Sequence, residues 1–330
     1  MEQLNLNSKI FQLLVCPRDK SSLNFDGNML TCSNGHKYYC VDGIPVLLLD
    51  DVKETLAECS SSIKKAQMAG NVTEFNVNNT DLNEIDPYVQ KAIAATNGQM
   101  WLPMINKLKS YPIPNFPLGK VSDKYMLDIG CNWGRWCISA AQIGYIPIGI
   151  DPSLDAIKAA YRITKQLGLE AYFVVGDARY LPFRSETFDL VFSYSVLQHF
   201  EKSDVSFSIS EISRILKKSA KSLIQMPNKY GLKNLFNQFC RGFKRPKGFE
   251  VRYWSLDELR NVFSEVIGST NLSTDAYCNL NPDIANIHVL PGRYQFVISC
   301  SEALRKLSKQ FPSLINFADS VYVSSVRESK

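Results

Sequence analysis

The chain has 330 residues, of which 45% are hydrophobic and 21% charged, a composition that excludes disorder over most of its length. Residues 228–252 contain seven basic side chains and one acid, whereas the rest of the chain is nearly balanced. The net charge of +5 is therefore a local feature and not the footprint of a whole nucleic-acid-binding protein.

Three further sequence features bear on location. No apolar run approaches the ~20 residues of a membrane span, so we expect no transmembrane segment. The N-terminal residues have neither a basic stretch nor a small-residue cleavage site, so no secretory signal is expected. The nine cysteines are an odd number and widely scattered, which favours reduced thiols and a cytoplasmic location.

Three regions differ in pattern. Residues 1–50 consist of short strand-like pieces between turns, which predict a small β-rich module. Residues 51–120 predict a helical cap and linker. This cap comprises a helix over 51–69, an Asn-rich loop over 71–83, a helical stretch over 87–110 broken near Pro103, and a proline-rich linker. Residues 121–330 predict an α/β domain with a basic insertion at 228–252.

Alternation of strands and helices from Lys124 onward is the strongest structural signal. Apolar strands are predicted at 125–129, 146–151, 171–175, 188–192 and 222–226, with helices at 136–143, 153–168 and 204–216. Strand–helix–strand units at this spacing indicate a mainly parallel sheet with helices on both faces. Ligands of such sheets bind at the carboxyl ends of the strands.

Glycines and acids follow the first three of these strands. The first strand continues into Asp128-Ile-Gly130-Cys-Asn132-Trp-Gly134, the second ends at Asp151, and the third ends at Gly176-Asp177-Ala178. Glycines allow close approach of the backbone to a ligand, and the start of the next helix offers free N–H groups. An acid at the end of the second strand suits the two hydroxyls of a ribose.

This constellation resembles class I S-adenosylmethionine-dependent methyltransferases, most closely the small "type 11" group, over about residues 121–227. The resemblance implies a Rossmann-like, seven-stranded, mainly parallel sheet and S-adenosylmethionine as cofactor. It places Asp128 and Gly130 at the amino-acid moiety of the cofactor, and Asp151 at the ribose. It also places Asp177 and Ala178 at the adenine, and Ser193 along the passage to the acceptor.

One position departs from the family pattern. Asn132 stands where the family usually has glycine, and Asn tolerates positive φ best among the other residues. Asn132 and Trp133 are therefore expected to keep the turn but to reshape the methionine end of the pocket. The spacing of Gly130 and Gly134 does not fit the Gly-x-Gly-x-x-Gly fingerprint of dinucleotide sites.

The acceptor side is predicted after the fourth strand. His199 is the candidate general base for a hydroxyl acceptor, or else a packed, hydrogen-bonded histidine, and Tyr194 is a second candidate catalytic residue. Gln198 is equally placed to contact the substrate. The Asn/Asp-Pro-Pro-Tyr signature of amino-methylating nucleic-acid enzymes is absent from this position, which favours a small molecule over RNA.

The basic insertion leaves three interpretations open. Leu232, Leu235, Phe236 and Phe239 recur at helical spacing among basic residues, which predicts an amphipathic helix. This helix could pack its apolar face on the domain, form a lid over an anionic or amphiphilic acceptor, or contact RNA.

Residues 8–50 resemble a Trm112-like zinc-ribbon module. The Cys16-Pro knuckle and the Gly-Ile-Pro-Val-Leu-Leu ending carry the match. The resemblance implies a zinc site formed by Cys16, Cys32 and His36 or Cys40, but Asp19 occupies the place of the second Cys of a Cys-x-x-Cys pair. Asp19 is then an oxygen ligand, or the module is a metal-free β unit with buried cysteines.

Together these features predict a methyltransferase that moves a methyl group from S-adenosylmethionine to a small-molecule, sugar or lipid-type acceptor, most simply at oxygen. Tyr88, Gln99 and Trp101 of the cap are expected to close over the cofactor. The alternatives are an RNA methyltransferase that grips phosphates through its N-terminal module and basic insertion, or a non-catalytic binding partner. The sequence leaves the oligomeric state open.

Overall fold

One mixed sheet organises the computed structural model, which describes residues 8–27, 29–53, 58–69, 84–278 and 284–328. The Asn-rich loop predicted over 71–83 lies outside the described residues. The eleven strands found there are β1 Leu23–Phe25, β2 Met29–Cys32, β3 Lys37–Val41, β4 Ile44–Leu47, β5 Lys124–Ile129, β6 Tyr145–Asp151, β7 Tyr172–Gly176, β8 Phe188–Ser193, β9 Leu216–Pro227, β10 Thr270–Ala276 and β11 Ser320–Val326.

The spatial order of the strands is β1-β2-β3-β4-β7-β6-β5-β8-β9-β11-β10. The six neighbouring strands in the middle of this order are mutually parallel, namely β4, β7, β6, β5, β8 and β9. Strands β1 to β4 form an antiparallel meander at one edge, and β11 is antiparallel to both β9 and β10 at the other. The predicted strands all occur, and each is displaced or extended by a few residues.

The expectation of a seven-stranded sheet is wrong for the molecule as a whole. Strands β5 to β11 supply seven strands, but the N-terminal residues add four more to the same sheet. Val46 and Leu47 of β4 pair in parallel with Val175 and Gly176 of β7. Every residue of β4 is buried, so the strand needs cover on both faces, and this pairing also removes an exposed edge from β7.

Helices cover both faces, as the alternation predicts. They are α1 Ser8–Phe11, α2 Glu58–Ala69, α3 Pro87–Asn97, α4 Arg135–Ala141, α5 Leu154–Gln166, α6 Lys202–Ile215, α7 Leu232–Cys240, α8 Leu256–Val266 and α9 Gly292–Leu307. Ser153 caps α5 by accepting a hydrogen bond from the backbone N–H of Ala156. The predicted 87–110 helix ends at Asn97 because Gly98 takes a φ of +97°, and a 3₁₀ turn follows over Gln99–Met104.

The cap is attached to the domain through a buried ion pair. Nε of Arg162 on α5 lies 2.7 Å from Oδ2 of Asp86, the residue that also caps α3. Asp86 is almost fully buried, so this contact fixes α3 beside the carboxyl ends of the strands. Among the described residues no helix is both long and apolar enough to cross a membrane.

Candidate active site

A cavity of about 1050 Å³ opens at the carboxyl ends of the parallel strands. Its lining includes seven of the predicted site residues: Gly130, Asn132, Asp151, Asp177, Ala178, Tyr194 and His199. The topology therefore brings together residues that the sequence places after four different strands. This is the position that the strand alternation predicts for a ligand.

The loop after β5 is shaped by residues with positive φ. Gly130 has a φ of +73°, and a Cβ added there would lie 2.2 Å from Cγ2 of Val196. Its N–H donates to the carbonyl of Ile150 at 2.8 Å, which holds the loop against the end of β6. Asn132 also has positive φ, +46°, so Asn preserves this turn as its conformational tolerance predicts.

Three predicted cofactor residues lie behind the cavity wall and not on it. Asp128 is buried, its carboxylate accepts from the thiol of Cys137, and burial raises its pKa to about 7. Ser193 is also buried and donates its hydroxyl proton to the carbonyl of Ile129. Gly134 begins α4 in the left-handed conformation, close to Ala160 and Phe173. These residues support the site and do not line it.

Asp151 is held in place by backbone donors. Its Oδ1 accepts from the N–H of Ser153 and its Oδ2 from the N–H of Asn132, both at 3.0 Å. Burial raises the pKa of this carboxyl to about 6, so it is largely ionised at neutral pH. A fixed carboxylate at the cavity wall can accept hydrogen bonds from two hydroxyls of a ligand.

Asp177 is paired with a residue that sequence reasoning missed. The guanidinium of Arg179 contacts both carboxylate oxygens of Asp177, with Nη2 to Oδ2 at 2.6 Å. The same guanidinium lies 3.5 Å from Asp204. Arg179 lines the cavity and is buried, so Asp177 cannot act there as an isolated charge. The Asp-x-Arg spacing of two residues is the signal that would have revealed the pair.

The three cap residues that are expected to close over the cofactor lie in two different places. Tyr88 and Gln99 line the cavity, whereas Trp101 is buried in the cluster beneath it. Burial raises the pKa of Tyr88 to about 12, so its phenol stays protonated. Asn97, at the end of α3, also lines the cavity.

Two buried donors at this wall have no hydrogen-bond acceptor among the described residues. They are Nδ2 of Asn97 and the indole Nε1 of Trp136. Buried polar groups in native proteins are nearly always paired. A wall with such donors therefore suits a polar ligand with acceptor atoms.

His199 also lines the cavity. Its Nδ1 donates to the carbonyl of Phe249 at 2.7 Å, and its Nε2 accepts from the side-chain amide of Gln198 at 3.2 Å. Burial lowers the pKa of His199, so the imidazole is neutral at neutral pH. Gln198 and Phe249 line the cavity beside it.

Tyr194 is not available as a base. Its hydroxyl donates to Oδ2 of Asp275 at 2.8 Å, and burial raises its pKa well above the usual value. Ser320 donates to the same oxygen at 2.6 Å. Sequence reasoning missed Asp275, a buried acid near the end of β10 that lines the cavity. Its position resembles those of Asp151 and Asp177, so a search for acids at strand ends would have found it.

The helix predicted in the basic insertion forms as α7, but its apolar face does not pack on the domain. Leu232, Leu235, Phe236 and Phe239 are between 39% and 70% exposed. The buried side chains of α7 are instead Asn234 and Gln238. The interpretation in which the apolar face is covered is therefore wrong for the described residues.

One basic residue of the insertion has an internal role. Arg252 is buried, and its Nη1 donates to the carbonyls of His199, Gly248 and Glu250 at 2.8–2.9 Å. This guanidinium ties the insertion to the turn that carries His199.

A separate cluster lies in the N-terminal part of the sheet. Ligand atoms of Cys16, Asp19, Cys32 and His36 all lie within 4.8 Å of one another. Nδ1 of His36 is 3.6 Å from Sγ of Cys16, 3.3 Å from Sγ of Cys32 and 3.2 Å from Oδ2 of Asp19. Cys40 is not part of this group, and burial raises its pKa to about 12. Of the two residues that the sequence left open, His36 belongs to the cluster and Cys40 does not, and Asp19 is present as the predicted oxygen-bearing member.

Known proteins resemble the central part of this chain. Norajmaline N-methyltransferase of Rauvolfia serpentina is 41% identical over 95 residues, which is 28% of this chain and 32% of the relative. A ubiquinone biosynthesis O-methyltransferase of Brucella anthropi is 32% identical over 111 residues, 32% of this chain and 44% of the relative. The chain spans less than two thirds of the length of these curated relatives.

A solved structure gives a weaker comparison. The YcgJ protein of Bacillus subtilis aligns with a TM-score of 0.42 at 19% identity, over 64% of this chain and 94% of that chain.

Residues 126–219 match the family model described as a methyltransferase domain. Over these residues, the match confirms the resemblance to class I methyltransferases that the motifs predict.

Proposed function

We propose that this chain is an S-adenosylmethionine-dependent methyltransferase that acts on a hydroxyl of a small-molecule, sugar or lipid-type acceptor. One observation carries the proposal. The lining of one cavity combines the strand-end groups of the methyltransferase-like segment, Gly130 and Asp151, with a neutral imidazole, that of His199. The relatives include both N- and O-methyltransferases, so their names leave the methylated atom undecided.

The residues present fit the cofactor. Asp151 would accept from the ribose hydroxyls, and the loop from Gly130 to Asn132 would hold the amino-acid moiety. Ala178 and the Asp177–Arg179 pair would hold the adenine. The two donors without an acceptor, on Asn97 and Trp136, suit the polar atoms of a bound molecule. When bound, the cofactor supplies a methyl group on a positively charged sulfur.

The chain itself positions the acceptor and takes up one proton. Nε2 of His199 would receive the proton of the acceptor hydroxyl, in place of the hydrogen bond that it accepts from Gln198, as that oxygen takes up the methyl group. The methyl group would leave without the electron pair of its bond to sulfur, and that pair would neutralise the sulfur. Tyr194 and Ser195 bound the acceptor end, where Tyr194 is fixed by Asp275. Alignment of the acceptor supplies much of the acceleration.

The N-terminal cluster is proposed to bind zinc. Ligand atoms of a tetrahedral zinc with Zn–N and Zn–S bonds of about 2.0–2.3 Å lie roughly 3.3–3.8 Å apart. The contacts of His36 with both cysteines and of Cys32 with Asp19 are 3.3–3.6 Å, which fits this arrangement. The cavity lining includes none of these residues, so the metal would be structural and would take no part in methyl transfer.

The test combines binding and turnover. Calorimetric titration with S-adenosylmethionine measures cofactor affinity for the chain and for Asp151→Ala. Radiolabelled cofactor is then incubated with the chain and host-cell extract, which is separated into nuclease-sensitive, lipid and small-molecule fractions. Cofactor binding that depends on Asp151, with label in a base-resistant ether of the lipid or small-molecule fraction, supports the proposal. Equal affinity in the variant, or label confined to the nuclease-sensitive fraction, contradicts it.

A further inference from the structure

Exposed apolar side chains of the described residues concentrate on two insertions at one end of the sheet. One insertion follows β9, and the other connects β10 to β11. Among the described residues, all the exposed phenylalanines except Phe207 lie in these insertions: Phe236, Phe239, Phe243, Phe249, Phe296, Phe311 and Phe317. Because β9 and β10 run in the same direction, both insertions leave the sheet at the end that carries the cavity.

Helix α7 exposes its apolar face because the side-chain amides on its opposite face form buried hydrogen bonds. Asn234 donates from its side chain to the carbonyls of Asn228 and Asp319 at 2.9 and 2.7 Å. Gln238 donates to the carbonyl of Lys229 at 2.8 Å. These amides lie on the buried side of the helix, so the leucines and phenylalanines face solvent. A helix arranged in this way has an apolar face without a partner among the described residues.

The two insertions are hydrogen-bonded to each other at their bases, and their exposed residues make up the surface at this end of the sheet. The side-chain amide of Asn228, at the start of the first insertion, donates to the carbonyls of Asn316 and Ala318 in the second, at 2.9 and 2.8 Å. Within the second insertion, the hydroxyl of Ser301 on α9 accepts from the N–H of Tyr277. Phe239 and Phe243 on one side and Phe311 and Phe317 on the other therefore belong to one end of the molecule.

This surface is also positively charged. Lys229, Lys233, Lys244, Arg245 and Lys247 are exposed, and none of the five forms an ion pair within the described part of the chain. The second insertion adds Arg293 and Lys309. The acid Glu250 lies 3.6 Å from Arg241 and so leaves those five charges uncompensated.

We propose that this surface docks the protein onto an anionic lipid bilayer. Aromatic and leucine side chains insert at the level of the headgroups, and the surrounding Lys and Arg contact the anionic lipids. A contiguous group of exposed apolar side chains on a monomer often marks an interaction site. The combination of apolar and basic residues favours a charged bilayer over a neutral protein partner. The inference does not depend on the methyl acceptor.

Docking in this orientation has a consequence for the cavity. Lys233, Asn237 and Phe249 belong to the first insertion and also line the cavity. The rim of the cavity would thus face the bilayer, and an amphiphilic acceptor could reach His199 without crossing water.

The experiment is sedimentation of the full chain with vesicles. One set contains phosphatidylcholine alone, and a second contains phosphatidylcholine mixed with phosphatidylglycerol. We expect the chain to partition onto the anionic vesicles, more weakly onto neutral ones, and less at high salt. The variant F236S/F239S removes two side chains that do not line the cavity, and we expect its partition coefficient to fall at least about tenfold. The matched control is F207S/L167S, which removes two exposed apolar side chains elsewhere.

Several outcomes would overturn the proposal. One is no partition onto either vesicle type. A second is an equal loss in the F207S/L167S control. A third is a dimer in light scattering that F236S/F239S dissociates, because the surface would then be covered by a second copy. Calorimetric cofactor binding by each variant shows that the fold is intact, and it separates this test from that of methyl transfer.

Discussion

The imidazole of His199 stacks on the ring of Phe249, with ring centres 3.7 Å apart and planes inclined by 7°. Nδ1 of His199 donates to the backbone carbonyl of the same Phe249. Since a carbonyl only accepts, this bond fixes the tautomer and leaves the lone pair on Nε2, where it accepts from the side-chain amide of Gln198. Phe249 belongs to the basic insertion, so the insertion orients the candidate base.

Replacement of His199 by Gln tests its role as the base. We expect kcat to fall about 100-fold, the usual order for loss of a general base, while cofactor affinity is unchanged. Burial lowers the pKa of His199 below 6.5, so the neutral, active form predominates at pH 7. The wild-type rate should therefore rise with pH through that lowered pKa and then level off. Single-turnover rates across pH check this.

Two results distinguish catalysis by His199 from a structural role. The His199→Gln variant should lose the acid limb of the pH profile, because the amide does not titrate there. Phe249→Leu keeps the imidazole and its backbone partner and should change KM more than kcat. A His199→Gln variant that keeps both the full rate and the acid limb would show that another group takes the proton.

Asp151→Asn should weaken S-adenosylmethionine binding about 10- to 100-fold, since a charged acceptor of two hydroxyls becomes a neutral one. We expect the wild type to bind the cofactor with its full affinity above pH 7. Below pH 6 this affinity should fall about tenfold per pH unit, because the carboxylate of Asp151 becomes protonated at its raised pKa of about 6. Calorimetry from pH 5 to 8 measures both effects.

The matched control for Asp151 is Asp155→Asn. Asp155 is exposed in the first turn of α5 and is paired with Lys65 at 2.5 Å. This variant should keep the wild-type affinity and its pH dependence. Equal losses in Asp155→Asn and Asp151→Asn would contradict a specific ribose contact by Asp151.

Gly130→Ala should destabilise the fold by about 2–5 kcal/mol. Positive φ contributes about 1–2 kcal/mol, and overlap of the new Cβ with Val196 contributes a further 1–3 kcal/mol. Gly168→Ala is the control, because it has a similar φ of +65° but nothing within 4 Å of the added Cβ. Urea unfolding compares the free energies.

A second substitution isolates the steric part of the Gly130 effect. In the double variant Gly130→Ala/Val196→Ala, removal of the valine methyls should recover part of the loss, and the coupling energy should be favourable. The φ contribution should remain. If the two substitutions are strictly additive, the contact between this loop and Val196 does not determine the cost.

Cys32→Ser should abolish zinc binding, which elemental analysis of the purified chain measures as metal per chain. Loss of the metal should also lower the melting temperature, because the cluster joins the segment before β1 to the end of β2. Cys40→Ser is the control, since Cys40 lies outside the cluster, and it should keep the metal. Equal zinc contents in the wild type and Cys32→Ser would contradict the site.

The fold from β5 to β9 follows closely from the sequence. Short apolar runs, strand-end acids and caps such as Ser153 act over a few residues, so they are visible in the pattern of the chain. The same local signals place Gly130, Asp151 and Asp177 at one edge of the sheet. His199 likewise comes directly after a predictable strand.

Contacts between distant segments carry no such signal. The pairing of β4 with β7 links residues more than a hundred positions apart and turns the expected seven strands into eleven. Tyr194 meets Asp275 across 81 positions, which removes Tyr194 from the possible bases. The sequence alone could not show that Asp128 and Ser193 lie behind the cavity wall.

Helix α7 shows the same division most clearly. The spacing of Leu232, Leu235, Phe236 and Phe239 predicts an amphipathic helix, and the helix forms because this pattern acts over adjacent turns. A contact with a distant part of the chain determines which face is buried: Asn234 donates to the carbonyl of Asp319, 85 positions away. Periodicity along a chain determines that a helix has two faces, but only the tertiary hydrogen bonds determine which of them meets solvent.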